Sequence, residues 1–191
     1  MHVQRFARLP FQRLVPLVLA SLLVSVPVFA APADPAPRLA PPFELVSLDG
    51  NRVALADFAG KIVVLHFATS WCPFCVAEAP HLEQLWQDMA DQGVQVLTID
   101  VQEPTETVRA WLRRQPMSFP VLLDATGDVA AAYAPEGVLE DLPRDQVVIA
   151  ANLIIGPNGH IEFFSLLDTK HFDAKLTALR TRLEELLTQK E

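Results

Sequence analysis

An apolar run, Ile62-Val63-Val64-Leu65-His66-Phe67-Ala68, is broken only by one histidine and leads within four residues to Cys72-Pro73-Phe74-Cys75. Such continuous apolarity describes a strand buried on both faces, which calls for a sheet covered by helices above and below. The segment after the first cysteine is helical in character, with Val76, Ala79, Leu82, Leu85, Trp86 and Met89 recurring at three- and four-residue spacing. A helix that starts at Cys72 aims unpaired N–H groups and a partial positive charge at its sulfur, favouring thiolate over thiol. The thiolate is the species that attacks disulfides. Cys72 and Cys75 are the only cysteines of the chain, so they react with each other or with a partner.

Other uses of such a pair are less well served. A disulfide closing so short a loop restrains the unfolded chain very little. A structural zinc ion needs two further ligands, and His2, His66, His81, His160 and His171 form no ligand-spaced pair. Covalent haem attachment needs histidine directly after the second cysteine, where this chain has Val76. Redox chemistry is the favoured reading, with metal binding and an inert pair as alternatives.

The N-terminus has the pattern of an export signal. Arg5, Arg8 and Arg13 precede an apolar stretch from Leu14 to Phe29, which closes on Val28-Phe29-Ala30. Cleavage after Ala30 is expected; the alternative is an uncleaved anchor, against which Pro16 and Pro27 argue. The expected organisation is a signal at 1–30, a Pro/Ala-rich extended tether at 31–42, and one domain at 43–191. The expected destination is the periplasm, an oxidising compartment in which disulfides persist. Loss of residues 1–30 removes three of 15 basic residues and no acid, taking the net charge from −8 to −11. That balance argues against nucleic acid or an anionic membrane surface as partner; a membrane association would come only through a retained N-terminal segment.

Phe43 to Leu55 alternates around Asp49-Gly50 as a hairpin would. Strands are expected at 62–68, 94–99, 120–123, 147–155 and 161–166, and helices at 73–90, 105–115, 128–133 and 173–189, the last burying Phe172, Leu176, Leu179, Leu183 and Leu186. Pro73 suits the first turn of its helix, while Pro80 lies inside it. The fold class is α/β, a mixed sheet flanked by helices.

These residues resemble the thioredoxin-like superfamily and, within it, the exported TlpA/ResA-like thiol–disulfide oxidoreductases. The resemblance spans roughly 43–188 and is most specific at Phe67-Ala68-Thr69-Ser70-Trp71-Cys72-Pro73-Phe74-Cys75, Glu78-Ala79-Pro80, Ser118-Phe119-Pro120-Val121 and Gly156-Pro157-Asn158-Gly159. It implies a thioredoxin-like fold with an N-terminal β-hairpin extension. One departure stands out. Where the family has a cis-proline beside the dithiol, this chain has Ala150. A cis bond there would cost about 2.5–4 kcal/mol, so a trans bond is expected, with an altered docking backbone. Pro143 sits earlier, in an apparent insertion at 136–146.

The resemblance implies Cys72 as nucleophile and Cys75 as resolving thiol. Pro73 and Phe74, between them, carry no charge, and a moderately reducing couple is expected, well below the roughly −120 mV of strong oxidants. His66 occupies the place where thioredoxins bury an acid under the second cysteine. Its neutral imidazole is a candidate proton acceptor for Cys75, against the alternative of a satisfied core histidine. Glu78, one turn after Cys75, is a candidate modulator of its ionisation, against an ordinary helix carboxylate. Trp71, Pro73, Phe74 and Ala150 are the candidate client-binding residues; core packing is the alternative for Trp71, and Trp86 and Trp111 are read as core. No metal site is expected, and the chain carries no NADPH or flavin motif, so the Cys72–Cys75 pair is its own redox group. Electrons are then expected from another protein, a membrane dithiol carrier, and go to disulfide-containing clients; cytochrome c maturation proteins are one class the resemblance implies.

Two other functions remain open. A peroxiredoxin-like peroxidase shares the fold, and Thr69 supplies the T-x-x-C of the P-x-x-x-T-x-x-C pattern. Its proline position is Leu65, however, and no arginine lies in 147–155. A non-catalytic binding module would use the groove near Ala150 and show neither activity.

Overall fold

The strand Ile62–Ala68 (β3) is buried along its whole length and is the axis of the molecule. In the computed structural model, which describes residues 38–189, six further strands complete one sheet. These are β1 (Glu44–Ser47), β2 (Arg52–Ala54), β4 (Val94–Val101), β5 (Val121–Asp124), β6 (Asn152–Ile155) and β7 (Ile161–Ser165), in the order β2-β1-β5-β4-β3-β6-β7. Four helices accompany them: α1 (Pro73–Met89), α2 (Thr105–Arg114), α3 (Asp128–Tyr133) and α4 (Thr177–Thr188). The sheet is mixed, with β3, β4 and β5 parallel and the outer pairs antiparallel. Pairing of Val46 with Leu123 joins the N-terminal hairpin to this sheet.

Alternation along β3 explains the layers. Val63, Leu65 and Phe67 pack with Leu97, Ile99, Tyr133 and Leu153 on one face. Ile62 and Val64 pack with Leu82 and Leu85 of α1 and Leu179 and Leu183 of α4 on the other. At the C-terminal end of the second face, Ala68 meets Cys72, Cys75, Ala79, Val108 and Trp111. The same register sets His66 beside Thr98 on β4 and Asn152 on β6. The dithiol therefore sits where the two buried central strands end.

Strand β4 runs two residues past its expected end at Ile99, other ends move by a single residue, and three departures bear on the site. The strand expected over 147–155 is only Asn152–Ile155, because Ala150 is left-handed, with φ of +63°. An extended strand cannot pass through that conformation. The preceding residues turn instead, with Ala151 N–H donating to Val148 O at 2.7 Å and Ala150 N–H to Phe67 O at 2.8 Å. The described peptide bonds are all trans, Ala150 included. The helix expected from 173 begins at Thr177, since its N-cap Leu176 is left-handed, with φ of +57°, and Asp173 accepts from Ala178 N–H and the Thr177 hydroxyl from outside the helix. The expected tether is, over its described part, tied to the domain: Ile161 N–H donates to Arg38 O, Ala40 N–H to Gly159 O and Tyr133 Oη–H to Pro41 O. The expected signal and the rest of the tether lie outside the described residues. Among the described residues no helix is long and apolar enough to cross a membrane.

Ala150→Pro should be strongly destabilising, because its ring cannot adopt a positive φ and it removes the bond to Phe67 O. A loss of about 2–4 kcal/mol is expected in urea unfolding, whereas Ala150→Gly should stay within about 1 kcal/mol of the parent.

Candidate active site

The spacing of the two cysteines is the spacing of a helix cap. Cys72 is the N-cap of α1, with extended backbone (φ −77°, ψ 114°), and Pro73 takes the first helical position. The third position then falls on Cys75, whose N–H donates to Cys72 Sγ at 3.4 Å. Burial would raise the Cys72 thiol, but the hydrogen bond from the Cys75 thiol, with help from the Cys75 and Phe74 amides, brings it down to about 6. Cys75 is pushed the other way, first by the same hydrogen bond and then by burial. Its sulfur is fully covered, 4.0 Å from Phe67 O. Both cysteines are free thiols. One sulfur is thus prepared to attack while the other holds its proton.

The surroundings sort the remaining candidates. Cys72 is only 3% exposed, so the expected accessible nucleophile presents a sliver of surface. Trp71 is 66% exposed, which removes the core-packing alternative for it. Pro73 is exposed, and half-buried Phe74 packs edge-to-face on Phe172 with ring centroids 4.8 Å apart. Ala150 is buried in the same cluster as the two sulfurs. Trp111 is buried and Trp86 packs at the edge of the core. His81 and His160 are half-buried rather than solvated. Among the described residues no three His, Cys, Asp or Glu side chains gather as a metal site would require.

His66 and Glu78 meet each other. The His66 Nδ1–H donates to Asn152 Oδ1 at 2.9 Å, and Asn152 Nδ2–H donates to Glu78 Oε1 at 3.1 Å. His66 Nδ1 also lies 3.6 Å from Glu78 Oε2. No described hydrogen bond joins His66 to either sulfur, so the imidazole expected beneath Cys75 instead faces the Glu78 carboxyl. Asn152 is the residue that sequence reasoning missed. Its one signal was a polar side chain in the apolar stretch Ala150-Ala151-Asn152-Leu153-Ile154, and only register against His66 gives it meaning. Burial drives His66 down to about 4 and Glu78 up to about 7, the Asn152 bonds opposing both shifts in part. At neutral pH the imidazole is neutral and the carboxyl is half-protonated, poised for proton transfer. Glu78, Asn152 and Ala150 also line an apolar cavity of about 290 Å³ walled by Phe163, Leu167 and Phe172.

The sequence profile of the AhpC/TSA family matches residues 37–164. The chain belongs to the AhpC/TSA family. Among its curated relatives, the thiol–disulfide oxidoreductase ResA of Halalkalibacterium halodurans is 36% identical over 91 residues, 48% of this chain and 52% of that protein. ResA of Geobacillus kaustophilus is 36% identical over 94 residues, 49% of this chain and 54% of that one. The chain spans about half the length of the curated relatives it matches. Among solved structures, a secreted Mycobacterium tuberculosis disulfide oxidoreductase homologous to Escherichia coli DsbE superposes with a TM-score of 0.60 at 26% identity, covering 75% of this chain and 96% of that one. A thiol:disulfide interchange protein of the thioredoxin family from Chlorobium tepidum shares the fold, with a TM-score of 0.64 at 24% identity and coverage of 81% and 99%. This AhpC/TSA member therefore has a thioredoxin-like fold.

Titration of thiolate absorbance at 240 nm should give a Cys72 midpoint near pH 6. Cys75→Ala removes the thiol donor and should move that midpoint toward the ordinary thiol value of about 8.5. The His66–Glu78 pair makes a second prediction. A carboxyl raised to about 7 loses stability as pH rises from 4.5 to 7, while an imidazole lowered to about 4 gains it as pH rises from 4 to 6.5. The opposed slopes cancel across roughly pH 4.5–6.5. Glu78→Gln should expose the imidazole alone, so that urea stability rises with pH there. His66→Asn should expose the carboxyl, so that stability falls.

Proposed function

We propose that this chain is an exported thiol–disulfide oxidoreductase that reduces disulfides in partner proteins. The observation that carries the reading is the cap itself: one sulfur sits at a helix N-terminus with its thiol lowered to about 6, backed by a second whose proton is retained. The names of the ResA relatives and of the secreted mycobacterial structure support it. Export rests on the Arg5–Ala30 signal pattern.

Cys72 thiolate attacks one sulfur of the client disulfide, forming a mixed disulfide and releasing the other client sulfur as a thiolate, which takes up a proton. Cys75 then loses its proton and attacks Cys72 Sγ. The client leaves fully reduced and the pair becomes a disulfide, two electrons having passed to the client. Glu78 is the base for Cys75, since its carboxyl acts electrostatically on that thiol and titrates near neutrality. His66 and Asn152 act behind it, by orienting the carboxyl. Exposed Trp71 and Pro73 offer apolar surface for the client, with half-buried Phe74 at its edge and the backbone of buried Ala150 behind it. A separate dithiol protein must return the electrons.

Insulin reduction by dithiothreitol should be accelerated by the full chain and not by Cys72→Ser, and Cys75→Ser should accumulate mixed disulfides with periplasmic proteins. Equilibration with glutathione should give a potential well below about −120 mV. Hydrogen peroxide consumption by the parent at rates above Cys72→Ser, without insulin reduction, would instead select the peroxidase reading.

A further inference from the structure

At its C-terminal end, β4 buries an acid that the chemistry above does not use. Asp100 is 1% exposed and pairs in register with Ala68, the last residue of β3. Neither of its oxygens receives a full hydrogen bond from a described N–H or hydroxyl. After burial, the group that acts on it most strongly is the carboxyl of Glu103, three residues along the chain. Glu103 in turn grips the loop that leads into the dithiol. Ser70 N–H donates to its Oε2, and the Ser70 hydroxyl donates to its Oε1 at 2.6 Å. The backbone is bent to make this contact: Gln102 is left-handed, with φ of +58°, and is held by bonds from its N–H to Asp124 O (3.0 Å) and from its amide to Thr126 O (2.8 Å). A non-glycine residue in that conformation is strained, and two tethers maintain it.

Two carboxyls that interact, one of them out of water, resist being ionised together and can hold a proton between them. We propose that Asp100 and Glu103 form a proton-sharing clamp that positions the Ser70-Trp71-Cys72 loop, with Glu103 as the positioning residue and Asp100 as its proton donor. The inference rests on Cys72 being the nucleophile. Burial, reinforced by the Glu103 carboxyl, raises Asp100 to about 8, so the clamp is closed at neutral pH and opens in mild alkali. The other titratable groups on this side of the sheet are Cys72 and Cys75 at the start of α1, Glu78 one turn on, and His66 on β3. From α2 come Val108 and Trp111, which are apolar, while Arg109 is engaged with Leu48 O and Glu106. Asp124 on β5 is bonded to Gly127 and Ala130 N–H.

The test is the rate of Cys72 alkylation by iodoacetamide against pH, with thiolate absorbance alongside, on the full chain. Glu103→Ala removes both Ser70 bonds and should slow alkylation at pH 7 at least fivefold while raising the thiolate midpoint. The parent should leave its thiolate plateau near pH 8. Asp100→Asn supplies an N–H donor that does not titrate, so it should keep the neutral rate and stay on the plateau to pH 9. Glu78 titrates lower, near 7, and its inflection persists in Asp100→Asn. Superimposable profiles for the parent and Asp100→Asn from pH 7 to 9 would overturn the clamp, and that comparison suffices if Glu103→Ala does not fold. So would a Glu103→Ala protein with the parental rate and midpoint. A reactive parent with unshifted variants removes the clamp alone, whereas an unreactive Cys72 in the parent overturns the functional reading as well.

Discussion

The hydrogen bond from Cys75 N–H to Cys72 Sγ is the contact on which the chemistry of this protein depends. It exists because α1 begins one residue after Cys72, and α1 begins there because β3, buried on both faces, ends at Ala68. A three-residue offset is the distance from a helix cap to the third helical amide. The same offset turns the Cys75 side chain inward to Phe67 O while leaving Cys72 at the rim. Local helix geometry thereby makes two chemically identical residues unequal.

Desolvation then divides labour among the ionisable groups. Burial raises Glu78 and Asp100 and lowers His66, and the hydrogen bond to Cys72 followed by burial raises Cys75, so that each favours its neutral form. Cys72 is drawn the other way, toward its charged form, because donors converge on its sulfur. At neutral pH the sulfur that meets the client is the ionised one, and Cys75 beneath it keeps its proton until the second step. Buried polar atoms without partners include Thr69 Oγ1, Thr98 Oγ1 and His66 Nε2. Their desolvation is a stability cost concentrated at a functional site.

Much of this was legible in the chain. β3 and α3 have the predicted bounds, α1 and α2 agree to within a residue, and the hairpin sits where Asp49-Gly50 put it. Long apolar periodicity and turn chemistry are local properties that survive folding unchanged. The expected strand at 147–155 failed for the converse reason. Val147, Val148 and Ile149 have strong β propensity, but the bonds from Ala150 to Phe67 O and from Ala151 to Val148 O turn the backbone there. Likewise Phe172, expected to be buried with the final helix, packs on Phe74 beside the dithiol.

The sequence by itself determined the dithiol and its place at a strand-to-helix junction, since spacing and apolar pattern are carried by neighbouring residues. Tertiary structure alone decided which groups would serve that dithiol. Asn152 meets His66 across 86 positions, and Glu103 reaches Ser70 across 33. Such meetings are set by strand register and by a left-handed residue at Gln102, which no local pattern encodes. How far each group's proton affinity moves follows from burial, a property of the packed whole.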